Sequence, residues 1–124
     1  MSIIKFTETH EWVRLEADGS ATVGITDFAQ EQLGDIVFIQ LPPIGKHFQR
    51  GSEVAMIESV KAAGEIKLPV SGSILEVNSA LDTEPALANS APLDQGWFFR
   101  INVEHPDELN ALMDEAAYQQ LITI

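Results

Sequence analysis

The amino-acid sequence predicts a mainly β domain, a small sandwich of antiparallel strands with one short internal helix and one C-terminal helix. Apolar residues recur at a period of two over many short segments, as half-buried strands require. Turn residues such as Asp18-Gly19, Pro42-Pro43, Ser71-Gly72 and Pro92 separate those segments. Helical spacing is confined to two stretches, and short strands plus a pair of helices pack as a sandwich.

Taken in order, His10 to Leu15 and Ala21 to Ile25 read as strands joined across Glu16-Ala17-Asp18-Gly19-Ser20, where Asp-Gly supplies the positive φ of a hairpin turn. Thr26 and Asp27 offer N-cap oxygens, Asp27 with Gln30 resembles a capping box, and Gly34 closes a helix that turns Phe28, Ala29 and Leu33 to the core. Asp35 to Leu41 follows as a strand with Val37, Ile39 and Leu41 on one face and Ile36 and Phe38 on the other, stopped by Pro42-Pro43. Val54 to Ile57 and Ile66 to Val70 form a hairpin spanning residues 52–70. Ile74, Leu75 and Val77 make a further strand, and Leu81 to Pro92 an irregular connection with a helix start at Pro85. Gly96 to Val103 alternates Trp97, Phe99, Ile101 and Val103 as a strand. A helix over residues 107–121 carries a stripe of Leu109, Leu112, Met113, Ala116 and Leu121. Trp12, Trp97 and Phe99 read as core anchors.

At 124 residues the chain makes one domain, residues 1–124, with enough core to fold without staples. It has no cysteine, which excludes a disulfide framework and suits a reducing compartment. A net charge of -12 argues against nucleic acid, since phosphate neutralisation needs clustered Lys and Arg. Acid excess points to basic partners or to solubility. The start at Met1 shows no leader pattern and no segment reaches membrane-spanning length, so a cytoplasmic protein without membrane contact is expected. His10, His47 and His105 lack metal-site spacing, and neither HExxH nor Gly-x-Ser-x-Gly occurs. No metal ligand and no catalytic residue is assigned.

Lys61 stands at the tip of the 52–70 hairpin, within Glu58-Ser59-Val60-Lys61-Ala62-Ala63. A lysine there is exposed, flexible and open to a modifying enzyme. Spacing alone leaves it a surface lysine.

The run Glu58 to Ala63, followed by Pro69-Val70-Ser71-Gly72 and Glu76-Val77-Asn78, resembles the lipoyl-attachment region of the glycine cleavage system H-protein family. His10-Glu11-Trp12-Val13, Gly24 to Phe38, Ala88-Asn89-Ser90 and Gly96 to Ile101 resemble the same family, in the same order. The resemblance implies a barrel-sandwich lipoyl-domain-like fold of two antiparallel sheets, and a non-catalytic lipoyl carrier. It implies that lipoic acid is attached to Lys61, with Glu58, Ser59, Val60 and Ala62 as its immediate setting. A tethered disulfide can then be opened and re-formed by thiol–disulfide exchange. The implied partners are the pyridoxal-phosphate glycine decarboxylase (P protein), the aminomethyltransferase (T protein), dihydrolipoyl dehydrogenase (L protein) and a lipoate-attaching enzyme. The carried group is the aminomethyl moiety of glycine.

By motif position Glu11 and Glu65 are the carboxylates that would shelter the loaded arm by accepting hydrogen bonds from its ammonium. Either is otherwise a plain surface acid. Glu58 reads as a docking contact for the lipoate-attaching enzyme or as a strand-end charge. Phe28 stands where some members of the family have His. Gly64 to Leu68 and Ala91 to Gln95 also depart from the commonest pattern. An H-like protein serving lipoyl relay to other complexes stays open, as does an unmodified interaction module. A biotin carrier would have Met on both sides of the lysine, where Val60 and Ala62 stand. Schiff-base chemistry at Lys61 would need a desolvated amine.

Overall fold

A computed structural model describes residues 3–123 of the chain; Met1 and Ser2, read above for a leader, and Ile124 lie outside the described residues. Two antiparallel sheets face each other across one core. The first has six strands in the order β1 (Ile3–Phe6), β2 (Glu11–Leu15), β3 (Ser20–Ile25), β9 (Phe99–Val103), β8 (Gly72–Val77) and β5 (His47–Phe48). The second has three, β4 (Ile36–Gln40), β6 (Glu53–Ser59) and β7 (Ala63–Lys67), in that order. Val13 and Val23 from one sheet and Ile39, Ile57 and Ile66 from the other meet inside with Phe98 and Phe99. Gly19 takes φ 89° in the β2–β3 turn, as Asp-Gly predicted.

Helix α1 (Asp27–Leu33) is capped by Thr26, whose hydroxyl accepts from the Ala29 N–H at 3.2 Å. The Asp27–Gln30 pair is a side-chain bond, Gln30 Nε2 donating to Asp27 Oδ1 at 2.8 Å, and so is not a capping box. Ala29 and Leu33 pack on the core as expected, whereas Phe28 sits half-buried against the His10 ring. In β4 the alternation fails. A register shift between Ile36 and Phe38 turns Ile36 and Ile39 both inward and leaves Val37 and Phe38 exposed. A second bulge, at Val54, buries both Val54 and Ala55.

The 81–92 connection holds two single-turn helices, α2 (Ala80–Thr83) and α3 (Leu87–Ser90), anchored by the buried side chains of Leu81 and Ala88. The helix expected over 107–121 is two elements, a 3-10 turn (Pro106–Ala111) and helix α4 (Glu115–Ile122). Between them Met113 exchanges two backbone hydrogen bonds with Phe6, at 2.8 and 2.9 Å, which extends the chain there. Asp114 starts α4 afresh by accepting from the Ala117 N–H at 2.9 Å. Tyr118 is therefore the buried residue of α4, and Ala116 and Leu121 lie exposed. Of the aromatic anchors, Trp12 and Phe99 are fully buried and Trp97 is half-buried.

Candidate functional site

The β6–β7 hairpin spans Glu53 to Lys67 and turns through Val60 and Lys61, neither of which needs a positive φ. The Ser59 N–H donates to the Ala62 carbonyl at 2.8 Å. Its hydroxyl accepts from the Ala62 N–H at 3.0 Å and the Lys61 N–H at 3.4 Å, and donates to the Ala62 carbonyl at 3.0 Å. A serine side chain thus closes the turn. Val60, Lys61 and Ala62 are all exposed, and Glu58 points outward from the last paired position opposite Ala63.

The tip does not hang free. The Val60 N–H donates to the Asp35 carbonyl at 3.0 Å, which docks it on the α1–β4 junction. Gly34 in that junction adopts φ 76° and ψ -156°, a region open almost only to glycine. A Cβ added there would lie 3.1 Å from Lys61 Cε, so the lysine stem runs over the bare glycine. Asn89 of α3 fixes the junction: its amide donates to the Gly34 carbonyl at 2.8 Å and its Oδ1 accepts from the Ile36 N–H at 2.9 Å. The sequence places Asn89 only within the irregular 81–92 connection; the Ala88-Asn89-Ser90 block is the signal that it does more.

Glu11 opens β2 with its side chain turned in and only 2% exposed. One carboxylate oxygen accepts from the hydroxyls of Thr7 and Thr9, the latter at 2.6 Å. The other accepts from the Lys67 N–H at 3.2 Å, across the gap between the two sheets. An ionised carboxylate has about four acceptor positions. Three are used, so one remains for a further donor. Glu11 forms part of a cleft of about 460 Å³ whose walls include Thr7, Thr9, Lys67, Leu68, Leu112, Met113 and Leu121. Sequence reasoning missed Thr7, Thr9 and the C-terminal wall.

Glu65 is not brought to Glu11. It lies on the outer face of the hairpin sheet beside Glu53, and the hydrogen bond that a protonated Glu65 donates to that second carboxylate, with the charge there, raises the Glu65 pKa above the ordinary carboxylate value. The depression it lines includes Gln40, Pro42, Met56 and Glu53, separate from the Glu11 cleft.

Next to Glu11, His10 stands at φ 74°, the one described non-glycine residue in left-handed backbone. Its Nδ1 lies 2.8 Å from the Tyr118 hydroxyl, which lies 2.6 Å from Thr26 Oγ1. Tyr118 also stacks on Phe6, with centroids 4.7 Å apart. These contacts bind α4 to the turn that presents Glu11. Burial lowers the His10 pKa, the Glu11 charge partly opposing it, and burial raises that of Tyr118. A neutral imidazole accepting the Tyr118 proton at Nδ1 fits both shifts.

Helix α1 connects the two halves of the site. Its first turn meets His10, the Thr26 N–H donating to the His10 carbonyl at 3.0 Å, and its far end carries Gly34 under Lys61. Seven helical residues span about 10 Å. Among the described residues no group of His, Asp and Glu is placed to hold a metal ion, and no helix is long and apolar enough to cross a membrane.

Comparison with known proteins joins these features to a family. The family model described as "Glycine cleavage H-protein" matches residues 4–123. The glycine cleavage system H protein of Parvibaculum lavamentivorans is 52% identical over 122 residues, 98% of this chain and 97% of that one. The protein of the same name from Thermotoga maritima is 52% identical over 120 residues, covering 97% and 96%. A crystal structure of a glycine cleavage system H protein from Mycobacterium marinum superposes with a TM-score of 0.90 at 32% identity, over 98% of this chain and 97% of that one.

Proposed function

We propose, because the chain belongs to the glycine cleavage H-protein family, that its lipoyl group is carried on Lys61. The protein is a lipoyl carrier of the glycine cleavage system, a component that shuttles the aminomethyl group of glycine and is not itself a catalyst. Lipoic acid is its cofactor, and the P, T and L proteins of the system are its partners. When bound, the lipoyl group supplies a disulfide on a flexible tether that can be opened and closed again.

The observation that carries the assignment to Lys61 is its place: an exposed amine on a turn locked by Ser59, with its stem over Gly34 and α1 leading from there to the Glu11 cleft. Ser59 orders the backbone on both sides of the lysine, so the amine moves while its anchor does not. Amide formation removes the ammonium charge, which suits an arm that must leave water for a cleft. Glu11 keeps one acceptor position there for the ammonium of the carried group, a charge-assisted bond stronger than a neutral one. Leu68, Leu112 and Met113 supply apolar walls to the same cleft. Of the two carboxylates considered from the sequence, Glu11 fits the sheltering role by position. Residues 1–124 act as one carrier domain, and the cysteine-free composition suits a cytoplasmic location.

The test is intact-mass analysis and peptide mapping after incubation with lipoate, ATP and a lipoate-attaching enzyme. One lipoyl group on Lys61 is expected, with Lys5, Lys46 and Lys67 free. A label on any of those three would overturn the assignment.

A further inference from the structure

The outer face of the hairpin sheet is apolar at its centre and acidic around it. Pairing places Phe38, Glu58 and Ala63 in one row across β4, β6 and β7, and Gln40, Met56 and Glu65 in the next. Phe38 is 51% exposed and Met56 46%, while Val37 beside the bulge and Val60 at the tip reach 54% and 69%. Single exposed apolar residues are ordinary, but several together beside a modification site mark an interaction surface. Exposed carboxylates of Asp35, Glu53, Glu58 and Glu65 surround them, against the two amines of Lys61 and Lys67.

We infer that this face docks the enzyme that acylates Lys61, a partner presenting an apolar recess bordered by Lys and Arg. The inference rests on Lys61 being the lipoyl site. Charge excludes a second copy as the occupant, since two such acidic borders would repel and the whole chain carries -12. Reach selects among enzymes. An enzyme that works on the dithiolane meets the far end of the arm, whereas one that forms the amide must bring its active site to Nζ and so covers the tip and the sheet face beside it. In that step the neutral Nζ attacks the carbonyl of an activated lipoyl donor and the amide C–N bond forms. The bond from the acyl carbon to the leaving group breaks, its electron pair leaves with that group, and the amine releases its surplus proton. No electrons are exchanged and the dithiolane stays oxidised.

The test is steady-state acylation of unmodified protein by a lipoate-attaching enzyme, for the parent, Phe38→Thr, Met56→Gln and the double variant, with circular dichroism as the check on folding. The double variant should raise KM about tenfold, equivalent to about 1.4 kcal/mol, with kcat within about twofold. Val60→Thr, outside both strands, gives the same reading if Phe38→Thr fails to fold. Glu58→Gln and Glu65→Gln should make KM less sensitive to salt. An unchanged KM in the double variant overturns the surface while leaving the Lys61 assignment standing. A parent that is not acylated at Lys61 overturns that assignment and the surface with it. Once lipoylated by prolonged incubation, the double variant should lose less in glycine-dependent loading than in acylation; an equal loss overturns the choice of the acylating enzyme as partner.

Discussion

Replacing Glu11 separates its structural bond from its chemical one. The carboxylate accepts from two threonine hydroxyls and from the Lys67 N–H, and the last of these ties β7 to the start of β2 in the other sheet. In Glu11→Gln the amide oxygen can keep the Lys67 bond while the amide nitrogen donates to the threonines, whose hydroxyls turn to accept. Charge-assisted bonds worth about 1.5–3 kcal/mol become neutral ones worth about 0.5–1.5, for a net cost on the order of 1–2 kcal/mol. Glu11→Ala instead leaves the Lys67 N–H without its partner in a part-buried place and opens a cavity, costing about 3 kcal/mol or more. Urea unfolding followed by circular dichroism should give that order, parent above Gln above Ala. The chemical half is read on lipoylated protein: after loading with glycine, Glu11→Gln should release ammonia faster than the parent because a neutral amide holds an ammonium less well. An alanine variant within about 0.5 kcal/mol of the parent would refute the bridging role. Equal ammonia release by parent and Glu11→Gln would refute the sheltering role.

Further expectations follow from the neighbouring groups. Tyr118→Phe keeps the stack on Phe6 and removes only the hydroxyl between His10 and Thr26, so urea unfolding should show a loss of about 1–2 kcal/mol. The His10 pKa is held below the ordinary 6.5 by burial, so the unfolded chain binds the extra proton first on acidification. The stability this neutral imidazole contributes is complete above pH 6.5 and is lost as pH falls toward the lowered value; His10→Gln should flatten that part of the stability profile. Gly34→Ala places a side chain in glycine-only backbone and against the lysine stem, and should lower thermal stability by about 1–3 kcal/mol while slowing acylation of Lys61.

What the sequence showed and what it hid divide by range. Strands β2 and β3, the Gly19 turn, the Thr26 cap and the lysine hairpin were legible because each is decided by neighbours within a few residues. The faces of β4 were not, since a bulge between Ile36 and Phe38 resets the alternation that pattern reading assumes. The C-terminal helix was misjudged because Leu109, Leu112 and Met113 have helical spacing, yet Met113 is claimed by Phe6 from the other end of the chain. Family resemblance pointed to Lys61 and Glu11 by position. It did not show that Glu65 faces away from Glu11 or that Tyr118 reaches His10, because both depend on how distant elements pack.

Lys61 as the carrying residue is tested most directly by glycine-dependent loading followed by mass mapping. Lipoylated parent and an identically treated Lys61→Arg variant are incubated with glycine and glycine decarboxylase, then digested and weighed peptide by peptide. The exposed lysine makes few contacts, so the variant should fold as the parent does. Lipoyl and aminomethyl mass should appear together on the parent's Lys61 peptide and nowhere on Lys61→Arg. Loading of Lys61→Arg, or of another lysine in the parent, would contradict the account.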